Sequence, residues 1–401
     1  MERCRLKDDI WWVGAIDWNV RDFHGYETPR GTTYNAYLIT DEKLTLVDTV
    51  REGFGPEMLA RVKSCCDLKS IDYLVVNHIE MDHSGSIAWL LDQVGPVKMF
   101  CSKRAAEGLR QLYGSQVDQW DLNVVSTGDE LSLGTYTLSF IEAPMLHWPD
   151  SMFTYVKEAK VLLPNDGFGQ HLATSKRFAD EVGLEEVMER ASDYYGNILM
   201  PFGNQVQKML QRIGELGLEI EAIGPSHGVM WRTSGDISRV VQAYDAWSRF
   251  EAPPRVAIIF DTMWHSTEKM TRAIEDGITQ EGVECSVFQI SRSALAATAQ
   301  AVLDHRAFLV GTPTLNNGVY PKVGGFMAHI KGLRPKARLA GAYGSYGWGG
   351  GGVKWVDSEL RGLGLDVIDP LEFKFVPTED DLAACEEYGR DVARRVKAWG
   401  S

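Results

Sequence analysis

From position 77 to 86 the chain reads Asn77-His78-Ile79-Glu80-Met81-Asp82-His83-Ser84-Gly85-Ser86. Histidines and carboxylates this dense, just after an apolar run, have little reason to sit in a solvated loop and every reason to hold a metal. Three further donors stand where other apolar runs end: His147 in PMLHWPDS, Asp166 in LLPNDGFG and His227 in GPSHGVMW. Each alone has a plain structural reading, as a hydrogen-bonded core histidine or a turn aspartate. Their joint occurrence carries the chemistry, because strand ends on a rigid scaffold can aim side chains into one pocket. Four histidines and three carboxylates are too many for one tetrahedral ion and enough for two ions sharing a carboxylate. The set divides into His78, Glu80 and His147 for one metal and Asp82, His83 and His227 for the other, with Asp166 between. Each half is a two-histidine, one-carboxylate triad with open positions, the arrangement of non-haem ferrous centres. Zinc accepts the same donors, so donor type alone leaves it open.

A second constellation lies further along. After the strand-like VAIIFD comes Thr262-Met263-Trp264-His265-Ser266-Thr267, a hydroxyl-rich loop feeding a helical stretch. Backbone N–H groups and hydroxyls at a helix N-terminus make an anion pocket, although Ser and Thr also serve there as ordinary caps. Two later loops follow apolar strands in the same way: Pro313-Thr314-Leu315-Asn316-Asn317, and Ser345-Tyr346-Gly347-Trp348-Gly349-Gly350. Ligands of open α/β sheets bind outside these strand ends, where amides and an aromatic ring such as Tyr346 or Trp348 can meet a flat heterocycle. The loops resemble the three flavin-contacting loops of flavodoxins. One phosphate pocket without an adenine-binding half favours FMN over FAD.

The elements that must position these groups differ between the two halves. Residues 9–50 read as short antiparallel strands (IWWVGAI, YNAYLIT, KLTLVDT), with a turn at Asp41-Glu42. An amphipathic helix is expected near 55–66, a buried strand in IDYLVVN, a helix over about 85–94, and more strands in VKMF, YTLSFIEA, MFTYVKE and VLLPND. Helices dominate about 178–217 before IEAIGPS. After the Pro-rich Glu251-Ala252-Pro253-Pro254, five apolar strands (VAIIF, CSVFQI, AFLVG, RLAGAY, LDVID) alternate with helical stretches, the pattern of a doubly wound parallel sheet. The expected domains are 1–251 and 252–401.

Composition bounds the function. A chain of 401 residues exceeds one hydrophobic core. No apolar run approaches the roughly 20 residues that span a bilayer, and no secretory signal is visible in MERCRLKDDIWW. A cytoplasmic, non-membrane protein is the expectation. Six cysteines without a C-x-x-C pair read as reduced thiols rather than a zinc ribbon or a rubredoxin-type centre. A net charge of -14 repels phosphate backbones, so nucleic acid is not an expected partner.

The pattern H-x-E-x-D-H followed by separated His, Asp and His resembles the metallo-β-lactamase superfamily, whose hydrolytic members usually carry H-x-H-x-D-H. Glu80 in place of that second histidine is the mark of the flavodiiron proteins. The resemblance continues in WVGAIDWNVRDFHGYETPRGTTYNAYL, in MLHWPDSMFTY and through the C-terminal half. It implies an α/β protein with an N-terminal metallo-β-lactamase-like αββα sandwich and a C-terminal flavodoxin-like sheet. It also implies two non-haem irons and FMN, a head-to-tail homodimer or a dimer of such dimers, and rubredoxin or a similar carrier as electron donor. His24 in FHGY and Tyr195 in DYYGN resemble polar residues lining the family's gas pocket; Asn77, Trp148 and Asp150 flank ligands and are read as supports.

Electron counting joins the two sites. Reducing two NO to N2O takes two electrons, which two ferrous ions hold. Reducing O2 to water takes four, matching two ferrous ions and a reduced flavin. The expectation is O2 reduction with appreciable NO reduction. The rivals are a dinuclear zinc hydrolase with a vestigial second domain, and a non-catalytic flavodoxin-like carrier.

Overall fold

Along three strands of the first half, neighbouring side chains go to different cores. Leu38, Leu46, Leu74 and Val76 join one cluster, with Met58, Leu59, Ile87 and Leu90 of two helices. Their neighbours Tyr37, Ile39, Val47 and Val75 join another, with Leu138, Phe140, Val156 and Leu163. A period of two is what a strand buried on both faces produces, each buried Leu or Val contributing roughly 1.5–3 kcal/mol. One face therefore meets helices and the other meets a second sheet.

The computed structural model describes Arg3–Trp399. The first sheet has the order β1 (Cys4–Lys7), β2 (Ile10–Trp12), β3 (Tyr37–Ile39), β4 (Leu44–Val47), β5 (Ile71–Val76), β6 (Lys98–Cys101), β7 (Asp121–Val124). Pairing is antiparallel up to β4 and parallel from β4 to β7. The second sheet runs β8 (Glu130–Ser132), β9 (Thr137–Glu142), β10 (Met152–Val156), β11 (Val161–Leu163), β12 (Ala222–Ile223). The run IWWVGAI is not one strand: Ile10–Trp12 stays in the first sheet, while Ala15–Asp17 pairs with Thr32–Tyr34. Gly14 makes the break, since a Cβ there would lie 2.2 Å from the Tyr34 carbonyl oxygen.

The C-terminal sheet is parallel, in the order β14 (Glu284–Gln289), β13 (Arg255–Phe260), β15 (Ala307–Leu315), β16 (Leu339–Tyr346), β17 (Asp366–Val367). This is the flavodoxin order, with its switch point between β13 and β15. The edge position is shared, because β18 (Leu371–Lys374) also pairs with β16.

Contacts divide the chain into two units. The first holds residues up to Phe23, Thr28–Tyr194 and Asn204–Asp245; the second holds His24–Glu27, Tyr195–Gly203 and Ala246 onward. The division thus falls slightly before the Pro-rich stretch, and two short segments of the first half group with the second unit. Hydrogen bonds explain this. The carbonyl of Phe250 accepts from Arg338 and that of Ala252 from Arg306. Glu27 accepts the Ala296 N–H, and Asn197 donates to the Ala296 carbonyl. All six cysteines are free thiols, and among the described residues no helix is long and apolar enough to cross a membrane.

Candidate metal centre and flavin-type cavity

The seven candidate ligands all follow strand ends of the two sheets. His78 and Glu80 come directly after β5, with Asp82 and His83 on the one-turn helix Met81–Ser84. His147 lies between β9 and β10, Asp166 after β11 and His227 after β12. Three of the turns use left-handed backbone: Met145, at φ 67, precedes His147, Asn165, at φ 55, precedes Asp166, and Gly228, at φ 81, packs so tightly that a Cβ would lie 2.1 Å from Gln170 Oε1.

The structure brings the seven together. Asp166 Oδ2 lies 3.2 Å from His78 Nε2 and 3.4 Å from His147 Nε2, while Oδ1 lies 3.7 Å from His227 Nε2 and 4.0 Å from His83 Nε2. Its two oxygens therefore face different halves. In one half Glu80 Oε2 is 3.2 Å from His147 Nε2. In the other, Asp82 Oδ2 is 3.1 Å from both His83 Nε2 and His227 Nε2, which are 3.1 Å from each other. Donors bound at ~2.1 Å and 90–110° apart around one ion are ~3.0–3.4 Å from one another; the shorter of these contacts have that spacing, while those of Asp166 Oδ1 at 3.7 and 4.0 Å are wider. The buried atoms support this: His78 Nε2, both oxygens of Asp82 and Asp166 Oδ2 have no hydrogen-bond partner among the described residues. Such clustered orphans call for an ion. Glu80 and His147 form the least buried edge, each with 14 % side-chain exposure.

A supporting layer orients the ligands. The His227 Nδ1–H donates to the Thr33 carbonyl at 2.7 Å, leaving Nε2 as a lone pair facing the centre. Asp48 accepts from the N–H and the side-chain amide of Asn77, at 2.7 and 3.0 Å, and Asp150 accepts from the Ile79 N–H at 2.9 Å. Trp148 lies partly buried beside the helix-facing core. Burial opposes charge on His78, but the Asp166 carboxylate beside it, with Asp82 and Asp48 near, pushes its pKa up to about 10. Burial likewise opposes charge on Asp82 and Asp166, yet the histidines facing them hold both carboxyls well below the usual range. In Asp48 and Asp150 burial prevails and raises the pKa.

Sequence reasoning missed part of this environment. Thr32 Oγ1 lies 2.8 Å from His171 Nδ1 and 3.3 Å from His227 Nδ1, and Phe23, Tyr34 and Tyr194 pack edge-on or tilted around His227. Asp48 directly follows the strand β4, so the strand-end logic that selected His78 could have found it; the others carry no such signal. His24 and Tyr195 belong to the second unit. His24 is exposed at φ 57, its ring 6.5 Å from Tyr26. Tyr195 is buried with its ring 5.2 Å from Trp247, and burial raises its phenol.

In the second unit the three loops line a cavity of about 470 Å³ at the carboxyl ends of β13, β15 and β16. From the first loop it takes Thr262, Met263, Trp264, Ser266 and Thr267; from the second, Pro313 to Asn317; from the third, Ser345 to Gly349. His265 and Gly350 do not line it. His265, at φ 65, turns outward to pair with Glu268 at 2.8 Å, and Gly350 backs onto Glu372. Phe375 and Val376, which follow the edge strand β18, complete the wall. Thr262 Oγ1 and Thr267 Oγ1 are buried without a hydrogen-bond partner, at the N-terminus of the helix Ser266–Gln280. Hydroxyls so placed suit a phosphate. Trp264 and Trp348 are 85 % and 90 % exposed on the rim.

A two-metal ligand set in a β-lactamase-like sandwich, followed by a flavodoxin-type sheet, defines the class of proteins that join a dinuclear centre to a flavin fold. Residues 32–228 match the ODP family beta lactamase, and residues 258–389 match flavodoxin. The chain is 46 % identical to a nitric oxide reductase of Moorella thermoacetica, covering 98 % of each chain. Among solved structures, rubredoxin oxygen:oxidoreductase from Desulfovibrio gigas superposes with TM-score 0.96 at 39 % identity, covering 99 % of each chain. The flavodiiron protein from Giardia intestinalis gives 0.96 at 37 %, covering 100 % of this chain and 98 % of that one. The chain belongs to the flavodiiron protein family.

Proposed function

We propose that the protein is a flavodiiron oxidoreductase that reduces O2 to water and NO to N2O at a centre of two irons, drawing electrons through FMN from an external donor such as rubredoxin. The observation that carries this is Asp166, one carboxylate whose two oxygens face two histidine–carboxylate triads, on a chain that also holds a cavity built from flavodoxin-type loops. His78, Glu80 and His147 would hold one iron, Asp82, His83 and His227 the other, and Asp166 would bridge them. Three carboxylates against two divalent ions leave one positive charge, a tolerable balance for a buried site. When bound, the irons supply gas binding and electron transfer, and FMN supplies the stored electrons. The residues fix the geometry: Thr33 and Asn77 orient His227 and the His78 loop, and apolar rings around His227 limit water on that side. His24 and Tyr195 are assigned to the gas pocket on the family resemblance.

Thr262 and Thr267 would take the FMN phosphate, with the 313–317 and 345–349 loops around the ring. The domain assignment is 1–251 for the diiron domain and 252–401 for the FMN domain, in a head-to-tail homodimer in the cytoplasm. The relatives' names are those of reductases and oxidoreductases, which leaves the zinc hydrolase without support. The test is anaerobic iron reconstitution and flavin analysis, then turnover with O2 and with NO using reduced rubredoxin. Two irons and one FMN per chain with gas consumption are expected; a colourless two-zinc protein consuming neither gas would refute the reading.

A further inference from the structure

Tyr34 touches the candidate centre without being one of its ligands. It is fully buried, and its ring centroid lies 6.4 Å from that of His83 and 6.2 Å from that of His227, edge-on to both. Its hydroxyl donates to Asp17 Oδ2 at 2.9 Å and accepts from Arg51 Nη1 at 3.2 Å. Asp17 is itself buried, and its other oxygen accepts the backbone N–H groups of Asn19 and Val20, both at 3.0 Å. The acceptor is thus fixed on the phenol. A ring needed only for packing would be served by Phe, without the cost of burying a hydroxyl and a carboxylate. A buried phenol bonded to a carboxylate can instead lose an electron and a proton together, because the proton has somewhere to go and no bare cation forms in the low-dielectric interior. Arg51 Nη1 also lies 3.9 Å from Asp17 Oδ2, so the three side chains form one cluster.

We propose that Tyr34 is a redox-active donor to the metal centre, with Asp17 as its proton acceptor, used when dioxygen meets the centre with fewer than four electrons at hand. The proposal rests on the function given above. One electron leaves the phenol for the dioxygen-derived oxidant at the centre, and the phenolic proton moves to Asp17 Oδ2. The products are a neutral phenoxyl, a neutral carboxylic acid and an oxidant reduced by one electron. An electron from the external donor and return of the proton restore the pair. Reduction of NO needs only the two electrons that two ferrous ions hold and leaves no comparable oxidant, so the step belongs to dioxygen.

The test uses the full-length, iron-loaded protein with its flavin removed and its irons reduced, mixed with O2 and freeze-quenched for EPR. A tyrosyl signal is expected whose hyperfine pattern changes in protein grown with ring-deuterated tyrosine. It is lost in Tyr34→Phe at unchanged iron content, formed more slowly in Asp17→Asn, and absent when NO replaces O2. The isotope and Asp17 arms stand even if Tyr34→Phe does not fold. Oxidised irons with O2 consumed and no tyrosyl signal, or a signal surviving in Tyr34→Phe, would overturn the role of Tyr34 while leaving the gas-reductase function intact. Failure to hold two irons or to consume O2 would overturn both.

Discussion

Asp166 is the side chain on which the two halves of the centre depend. Because each of its oxygens serves a different triad, Asp166→Asn should keep one acceptor and lose the bridge. Metal content is expected to drop from two ions to about one, and turnover by on the order of 100-fold; a folded variant with two irons and wild-type turnover would show that Asp166 does not bridge. Proton linkage gives a second prediction. With its pKa raised to about 10, His78 carries a proton at pH 7 in the metal-free site, and a cation must expel it. Metal loading should therefore release protons, and apparent affinity should rise with pH up to that value. Calorimetry in buffers of different ionisation enthalpy measures the release, and a value of zero at pH 7 would contradict the protonated state. The candidate ligands could be picked out because they crowd together or stand at strand ends. Tyr34 and His171 could not be, since GTTYNAYL and DGFGQHLA crowd no candidate donors together and the partners of these two residues are set only by tertiary contact.

At the scale of elements, the parallel sheet was readable from its apolar strands, whereas its edge was not: β17 has two residues and yields to β18, whose LEFK pattern announces no buried strand. Phe375 and Val376 were missed for that reason. The junction between the helix Leu295–Asp304 and β15 carries a pH-sensitive group. His305 donates from Nδ1 to the Ala301 carbonyl at 2.8 Å, and its Nε2 lies 3.1 Å from Ser286 Oγ. Burial pushes its pKa down to about 4. The folded value lies below the unfolded one of about 6.5, so this stabilisation is full above the latter and lost as pH falls through about 4. The loss should reach roughly 3 kcal/mol. His305→Gln removes the titration, so its urea midpoint should fall less between pH 7 and pH 4.5 than that of the wild type. Parallel losses in the two proteins would place the acid sensitivity elsewhere.

For the whole molecule the question is which flavin serves which irons. Full reduction of O2 needs four electrons, and the ferrous pair holds two, so an intact route from flavin to irons is required on every cycle. In the proposed head-to-tail dimer that route would cross the interface, and a symmetric dimer would contain it twice. Differently tagged chains can separate the possibilities, one carrying Asp166→Asn and the other a flavin-loop change such as Thr267→Glu, which puts a carboxylate where the phosphate would bind. Each homodimer should be nearly inactive. The purified mixed dimer joins the intact flavin of one chain to the intact irons of the other at one of its two routes, so about half of wild-type O2 turnover should return. Transfer confined within a chain would leave the mixed dimer as inactive as its parents, because neither chain then owns both working sites.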